Sequence, residues 1–246
     1  MKYIYLLFFT CTINSFSQIK NGVITYGVIK NEIEKYSDNE FVNNLQKEAK
    51  EVAHLYVSTL SFNAKESSFV LKEVVLQDNK DFGLYQGFLD IQSNIYENRD
   101  KKVFRSYFDN NRIGEVVKID TLKYNWVITN ETKDISGYKC YKATTFRYSD
   151  SGVMDEKYAI TAWFTPKIPV PYGPNGYGKL PGLILELQSF MSTIYVKTIN
   201  LNVEEELKFD TLEKYPQLTS DEIYKYMMSS MTQEQKKAVM DSKRIK

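Results

Sequence analysis

From Tyr56 to Val203 the chain is a series of short runs that alternate apolar and polar residues, and most of the links between them are too short for a crossover. Such runs fall at 56–62, 67–75, 101–108, 113–119, 125–129, 137–148, 156–165, 183–187 and 193–203, with an earlier one at 23–29 (VITYGVI). A parallel pair of strands needs a dozen or more connecting residues, so these neighbours are constrained to pair antiparallel, as a meander. Within 56–62, Tyr56, Leu60 and Phe62 share one face, and Leu183, Leu185 and Leu187 alternate with Ile184, Glu186 and Gln188. The 19 tyrosines and 14 phenylalanines suit the half-buried pleated surface that such a sheet offers.

Helical signals flank this series. Ser37-Asp38-Asn39-Glu40 is a capping box, and Phe41, Leu45, Ala49 and Val52 follow on one helical face that must be buried against the sheet. Two further boxes, Thr219 to Glu222 and Thr232 to Gln235, open helices in the tail. The expected class is mainly β with helices (α+β). A curved antiparallel meander sheet or half-barrel is covered on its concave face by the N-terminal helix, and a helical C-terminal tail packs on it or extends from it. The expected divisions are a leader at 1–17, a β domain at 18–204 and the tail at 205–246.

The leader rests on Lys2 as a positive start, the short apolar stretch Tyr3 to Cys11, and small residues Ser15 and Ser17 before a cut at Gln18. The apolar stretch is far below the ~18–20 residues needed to span a bilayer. Phe8, Phe9 and Thr10 are a poor setting for lipid attachment at Cys11. Export to the periplasm or the outer membrane is therefore expected, leaving 246 − 17 = 229 residues and one cysteine, Cys140. A lone cysteine makes no internal disulfide, and its strand setting beside Tyr138 and Tyr141 suggests a buried, inert thiol.

Composition removes several kinds of chemistry. With 32 basic and 31 acidic residues the net charge is +1, which offers nothing to a nucleic acid. The single histidine, His54, cannot anchor a zinc site and suits the end of the first helix. Gly173 to Lys179 imitates the front of a phosphate-binding loop, but Leu180 stands where Ser or Thr must hold Mg²⁺, and a strand follows instead of a helix. Asp109 to Asp120 imitates a calcium loop, yet Ile113 occupies a ligand position, so a hairpin turn is the better reading. Glu204, Glu205 and Glu206 form a solvated acidic run, and Asp155 and Glu156 point to opposite faces of a strand. No catalytic residue, metal or cofactor is expected.

One segment stands apart. Residues 166–181 (PKIPVPYGPNGYGKLP) hold five of the chain's six prolines and three glycines. Prolines fix φ and lower the entropy lost when a long loop orders, and Pro174-Asn175 suits the centre of a type II turn. Loops this long in compact domains are usually functional or disordered, and the stiff composition argues for order. Trp163, Phe164, Tyr172 and Tyr177 supply packing groups, and both a fixed plug at one end of the sheet and a binding surface fit the composition.

At this loop the chain resembles the GLPGLI proteins of Bacteroidetes. The motif stands here as Lys179-Leu180-Pro181-Gly182-Leu183-Ile184, with Lys179 in place of the first glycine. Ala162 to Thr165, Ile168-Pro169, Gly173-Pro174 and Gly137 to Cys140 extend the likeness. The resemblance implies an exported protein of unassigned activity, often encoded near TonB-dependent outer-membrane receptors, with no catalytic residue to carry over. Candidate binding or structural residues are Trp163, Pro169, Tyr172, Gly173, Pro174, Tyr177, Gly178, Leu180, Pro181, Gly182, Leu183 and Ile184. The favoured function is a non-catalytic module that binds an envelope protein, plausibly a TonB-dependent receptor. The alternatives are a carrier of a hydrophobic ligand or lipid in a half-barrel cavity and, third, an enzyme of unrecognised type. Gly182→Val is expected to destabilise through the turn, and Tyr177→Ala to cost less stability.

Overall fold

A computed structural model describes residues 19–33, 40–72, 82–92, 94–110, 114–119, 124–148, 157–229 and 232. The expected leader and its cleavage site, the Ser37 cap, the Asp155–Glu156 pair and the helix after Thr232 lie outside these residues.

Two meanders build the sheet. The first runs through β1 (Asn21–Lys30), β2 (Val57–Asn63), β3 (Glu66–Lys72), β4 (Asn94–Asn98), β5 (Val103–Asn110) and β6 (Gly114–Lys118). The second comprises β7 (Val127–Ile135), β8 (Tyr138–Tyr148), β9 (Lys157–Thr165), β10 (Leu183–Gln188) and β11 (Ser192–Leu201). Antiparallel pairing of β1 with β11 joins them, and a two-residue β12 (Gln217–Leu218) pairs parallel to β6. The result is one open, curved sheet in the order β12-β6-β5-β4-β3-β2-β1-β11-β10-β9-β8-β7. The expected α+β class with a curved meander sheet is what the chain adopts; the single parallel pair makes it mixed.

The alternation read from sequence sets the two faces. Ile24, Tyr26 and Val28 on β1, Leu60 and Phe62 on β2, and Ile160, Ala162 and Phe164 on β9 point into one concave core and are almost wholly buried. The helices α1 (Glu40–Val52) and α2 (Phe82–Phe88) pack on each other, and α1 also touches β1. Only the second half of the α1 stripe is buried: Ala49 and Val52 join the core, whereas Phe41 is 68 % exposed. The sequence reading missed α2, β4 and β12, which are short and break the expected alternation. Among the described residues, no helix is long and apolar enough to cross a membrane.

The tail holds the expected helix, preceded by a segment with little regular structure. Residues 206–212 and a turn at 213–215 lead to the edge strand β12, and Phe209, Leu212 and Tyr215 pack on the outer, convex face against Tyr96, Val103, Tyr107 and Val117. Arg105 holds this segment with bonds to the Gln217 side chain (3.0 Å) and the Thr211 carbonyl (3.1 Å), and an ion pair with Glu213 (3.2 Å). Helix α3 (Ser220–Ser229) then starts at the expected capping box: Thr219 Oγ1 accepts from the Glu222 amide at 3.3 Å, and Glu222 Oε2 accepts from the Thr219 amide at 2.8 Å.

Candidate functional site

The proline loop runs inward. Tyr172, Gly173, Pro174, Tyr177, Gly178, Leu180, Gly182, Leu183 and Ile184 are buried, Trp163 is half-buried, and Pro169 and Pro181 are exposed. The structure therefore brings most of the candidate residues together on the concave side, between β3 and β4 on one flank and β8 to β10 on the other. Three backbone bonds fold the loop on itself: Lys179 N–H to Pro171 O (2.9 Å), Leu183 N–H to Ile168 O (2.9 Å) and Ile184 N–H to Tyr172 O (3.1 Å). Gly178 sits so close to the facing chain that a Cβ would lie 2.4 Å from Pro171 O. The Tyr26 hydroxyl, fully buried, donates to Ile184 O at 2.6 Å and ties the loop's exit to β1.

Two groups that sequence reasoning missed hold the loop's tip. Asn175, only 3 % exposed, donates through Nδ2 to Asp90 O (2.7 Å) and accepts at Oδ1 from the Gln92 amide (3.0 Å). It carries the positive φ of 55° expected after Pro174, so its role in the turn and its role as a clamp coincide. From the other side the Tyr124 hydroxyl donates to Gly176 O (3.0 Å) and Trp126 Nε1 to Gly178 O (2.9 Å). Tyr124 stacks on Tyr177 at 4.8 Å, and Trp126 meets the same ring edge-on at 6.3 Å. Nothing in the spacing of 124–126 and 175–178 announces these contacts, which join segments about fifty residues apart.

Lys179 is the exposed shoulder of the loop, with φ of +66°. The glycine that the resembled motif has at this place meets that conformation without a Cβ clash; lysine adopts it at a cost. Lys179→Gly is accordingly expected to stabilise the protein by about 0.5–1 kcal/mol, read as a rise in denaturation midpoint. An unchanged or lower midpoint would contradict this account of the substitution.

Charge inside the concave face is concentrated near α2. Asp90 and Arg147 make a two-pronged ion pair, both contacts at 2.9 Å. Burial works against the Arg147 charge, but Asp90 outweighs it and holds the guanidinium pKa above its usual value, with Tyr177 adding to the effect. Lys30, 3 % exposed, donates to Met191 O at 2.9 Å, and burial pushes its amine down to about 8 against the pull of Asp90. A lysine pKa lowered on folding means that the unfolded chain binds the proton better. Its burial cost is therefore present in full below pH 8 and disappears as pH rises through 8 towards 10.5. Lys30→Met should raise Tm at pH 7, with the advantage shrinking between pH 8 and 10.5; Met191 O keeps the Asn31 amide at 3.0 Å as a partner. A gap between variant and wild type that is constant with pH would show the amine is not strained.

At the loop's other end, burial raises the Glu97 carboxyl above its ordinary range, with Lys179 and Arg99 drawing it back. Burial also pushes the Tyr172 phenol up to about 12, opposed by Arg99. Cys140 is fully buried, its thiol pushed up to about 11 chiefly by burial, which leaves little thiolate at neutral pH. His54 bonds through Nδ1 to Glu51 O (2.8 Å) near the end of α1. Among the described residues no group of three or more His, Cys, Asp and Glu side chains is placed to hold a metal ion.

The outer face is the other notable surface. On β4 to β6 the tail packs over it, and the rest of the face belongs to β1 to β3 and β7 to β11. Ile29, Val127, Phe146 and Phe190 there are each about half exposed or more.

A family model described as a protein of unknown function (Porph_ging) matches residues 147–186, a span that contains every candidate site residue. No curated protein matches the chain. Two solved structures of PNGF-II, in space groups C2 and P21, are similar at TM-scores of 0.52, with 19 % and 17 % identity. The matches cover 86 % of this chain and 33 % and 34 % of the PNGF-II chains, so the chain spans about a third of their length. At such identity the likeness is one of fold.

Proposed function

We propose that this chain is an exported cell-envelope protein of the GLPGLI kind that works by docking a protein partner, in the neighbourhood of TonB-dependent outer-membrane receptors. One observation carries the docking: on β1 and β7 to β11 the convex sheet face presents Ile29, Val127, Phe146 and Phe190, each about half exposed or more, whereas over β4 to β6 it carries the chain's own tail. Isolated apolar residues on a surface are ordinary, but several on one flat sheet face mark an interaction site. The leader-like start of the sequence and the motif at Lys179 to Ile184 support the compartment and the family.

Docking is favoured over ligand carriage because the concave side is occupied. The loop, α1 and α2 fill it with Tyr85, Leu89, Tyr172, Tyr177 and Leu180, each at most 3 % exposed. A lipid carrier needs that volume lined and open. The loop in this reading is a structural plug that stiffens the sheet, and recognition belongs to the outer face. The test is affinity capture from envelope extracts, with protein and lipid eluates both identified. A defined outer-membrane protein should be retained by the wild type and lost with Val127→Asp, a change at a residue 64 % exposed that should leave Tm nearly unaltered. Equal retention by the variant, or lipid as the enriched species, would overturn the proposal.

A further inference from the structure

Beyond β11 the chain is tied down twice, with an exposed acidic link between the ties. The first tie lies at the start of β1, where the Asn202 amide donates to Asn21 O (2.9 Å) and Asn21 Nδ2 to Val203 O (3.0 Å). The second is the strap of residues 209–218 seated on β4 to β6. Glu204, Glu205 and Glu206 between them are exposed, and their like charges keep the link extended.

Edge hydrogen bonds, one arginine and a small apolar cluster hold the strap. Val117 N–H donates to Pro216 O (2.8 Å) and Ile119 N–H to Leu218 O (3.1 Å), so β12 occupies the outer edge of β6. Arg105, 6.0 Å from the centre of the Tyr96 ring, binds Gln217, Thr211 O and Glu213. Phe209, Leu212 and Tyr215 make with Tyr96 and Val117 a cluster separate from the main core. These contacts ask only for the sequence of the segment, not for the chain that supplies it.

Leu212 is in a strained conformation. It is bulky, 2 % exposed and has a φ of +57°, in the left-handed region that disfavours such a side chain by about tenfold. The turn at 213–215 then brings the chain to the β6 edge, and Gln217 Nε2 braces it by donating to Leu212 O (3.1 Å) and Tyr215 O (2.7 Å). The fit to the sheet is incomplete. A cleft of about 170 Å³ remains between Asp210 and Leu212 on one side and Ser68, Val70, Asn94 and Ile95 on the other. A satellite cluster, a two-residue strand and a strained anchor mark a segment that opens before the rest of the fold. Opening bares the edge of β6, the Tyr96 and Tyr107 rings and the Arg105 guanidinium together, and a bare edge is a template for another strand.

The segment that fits this site is on the page, since the chain's own tail fills it, and a second copy carries the same segment. We infer that two copies associate by exchanging straps, residues 209–218 of each closing the β6 edge of the other about a two-fold axis. The exchange concerns β4 to β6 and does not rest on the docking reading, which concerns β1 and β7 to β11. Every contact broken is remade between chains, so the balance is set by concentration and strain. Within one chain the strap meets its site at an effective concentration of about 1 mM. In the exchanged form the link runs to another chain, the path from Asn202 that imposes the left-handed Leu212 is released, and the balance shifts by about tenfold. The dimer is therefore expected to dissociate at a concentration on the order of 0.1 mM.

The test mixes two full-length variants, Arg105→Glu and Glu213→Arg. Each repels its own strap, by two acids or by two arginines, and each alone should sediment as a monomer. In the one-to-one mixture both exchanged contacts again join an arginine to a glutamate. A heterodimer should form there at a concentration roughly tenfold or more below that of the wild-type dimer, because the competing strap within each chain is repelled. Melting curves certify the fold of each variant. A second measurement keeps the native contacts at position 105. Lys118 on β6 and Leu218 on β12 are opposite each other in register, so Lys118→Cys in one chain and Leu218→Cys in another should cross-link on oxidation. The 118–218 product between chains should far exceed the 118–118 and 218–218 products, and the buried Cys140 stays out of the reaction. Monomers throughout the charge-swapped mixture up to about 1 mM would overturn the inference. So would cross-links in statistical proportion or none, since any dimer would then be joined elsewhere. If the mixture stays monomeric while Glu213→Arg alone retains an envelope protein or binds phosphatidylethanolamine vesicles, the opened site takes a foreign segment or a membrane, and the exchange falls.

Discussion

Gly182→Val is expected to destabilise the protein by about 3 kcal/mol or more, a loss of roughly 6–12 °C in Tm. The cause is contact. A Cβ built on Gly182 would lie 2.2 Å from Thr165 O and 2.5 Å from Thr165 C, and both are backbone atoms of the facing strand β9. Flexible side chains can swing away from such a clash, whereas a paired strand cannot. Thr165 is itself fixed, wholly buried, with its hydroxyl bonded to Lys139 O at 3.0 Å. A glycine after a proline suits either a left-handed turn, the cause expected from sequence, or a close approach of backbone. Only the close approach operates, because the positive φ falls at Lys179 and not at Gly182. The clash begins at Cβ, so Gly182→Ala should cost nearly as much as valine. Gly87→Ala, where an added Cβ meets nothing within 4 Å, is the matched control and should be neutral. Thermal denaturation of the three variants decides it, and wild-type melting of Gly182→Ala would sink the argument.

Tyr177→Ala should cost about 3–5 kcal/mol, as truncation of a fully buried aromatic does. The side chain is 3 % exposed and is held between Tyr124, Trp126 and the Arg147 guanidinium. Removing it empties a ring-sized volume at the place where the strap 124–126 meets the loop. This departs from the expectation from sequence, in which Tyr177 lay further out on the loop and cost less than Gly182; the two losses should be comparable. Tyr177→Phe keeps the ring contacts and loses the hydroxyl, so it should cost no more than about 1.5 kcal/mol. Denaturant titration of both variants checks the ordering. A small loss for Tyr177→Ala would mean that the loop tip is loosely packed. Because the ring faces inward, Tyr177→Phe should leave partner capture intact under the outer-face reading; loss of capture with preserved stability would return recognition to the loop.

Much of the architecture could be read from one dimension. Period-two alternation specifies which side chains share a face, and short links specify antiparallel neighbours. The strands from β1 to β11 thus appear in the sequence within a few residues of their observed ends, except β4, which was missed, and β7, which runs six residues past its expected end to Ile135. The capping box at Thr219 and Glu222 was legible for the same reason, since its partners are three residues apart. The rigidity of the loop was legible from its prolines, which restrict φ wherever they sit.

What the sequence could not decide involves separation along the chain. Whether the proline loop would lie over solvent or inside the sheet depends on curvature summed over eleven strands, which no local pattern encodes. Asn175 bonded to Asp90 and Gln92, Trp126 bonded to Gly178, and Arg147 paired with Asp90 join positions some fifty to eighty-five residues apart. The covering of β4 to β6 on the outer face by residues 206–218 is likewise a tertiary choice, for that segment is polar at most positions and contributes three apolar anchors. Local periodicity settled the faces of the sheet; only the tertiary geometry of the chain decided that the concave one is filled by the loop and that part of the convex one carries the tail.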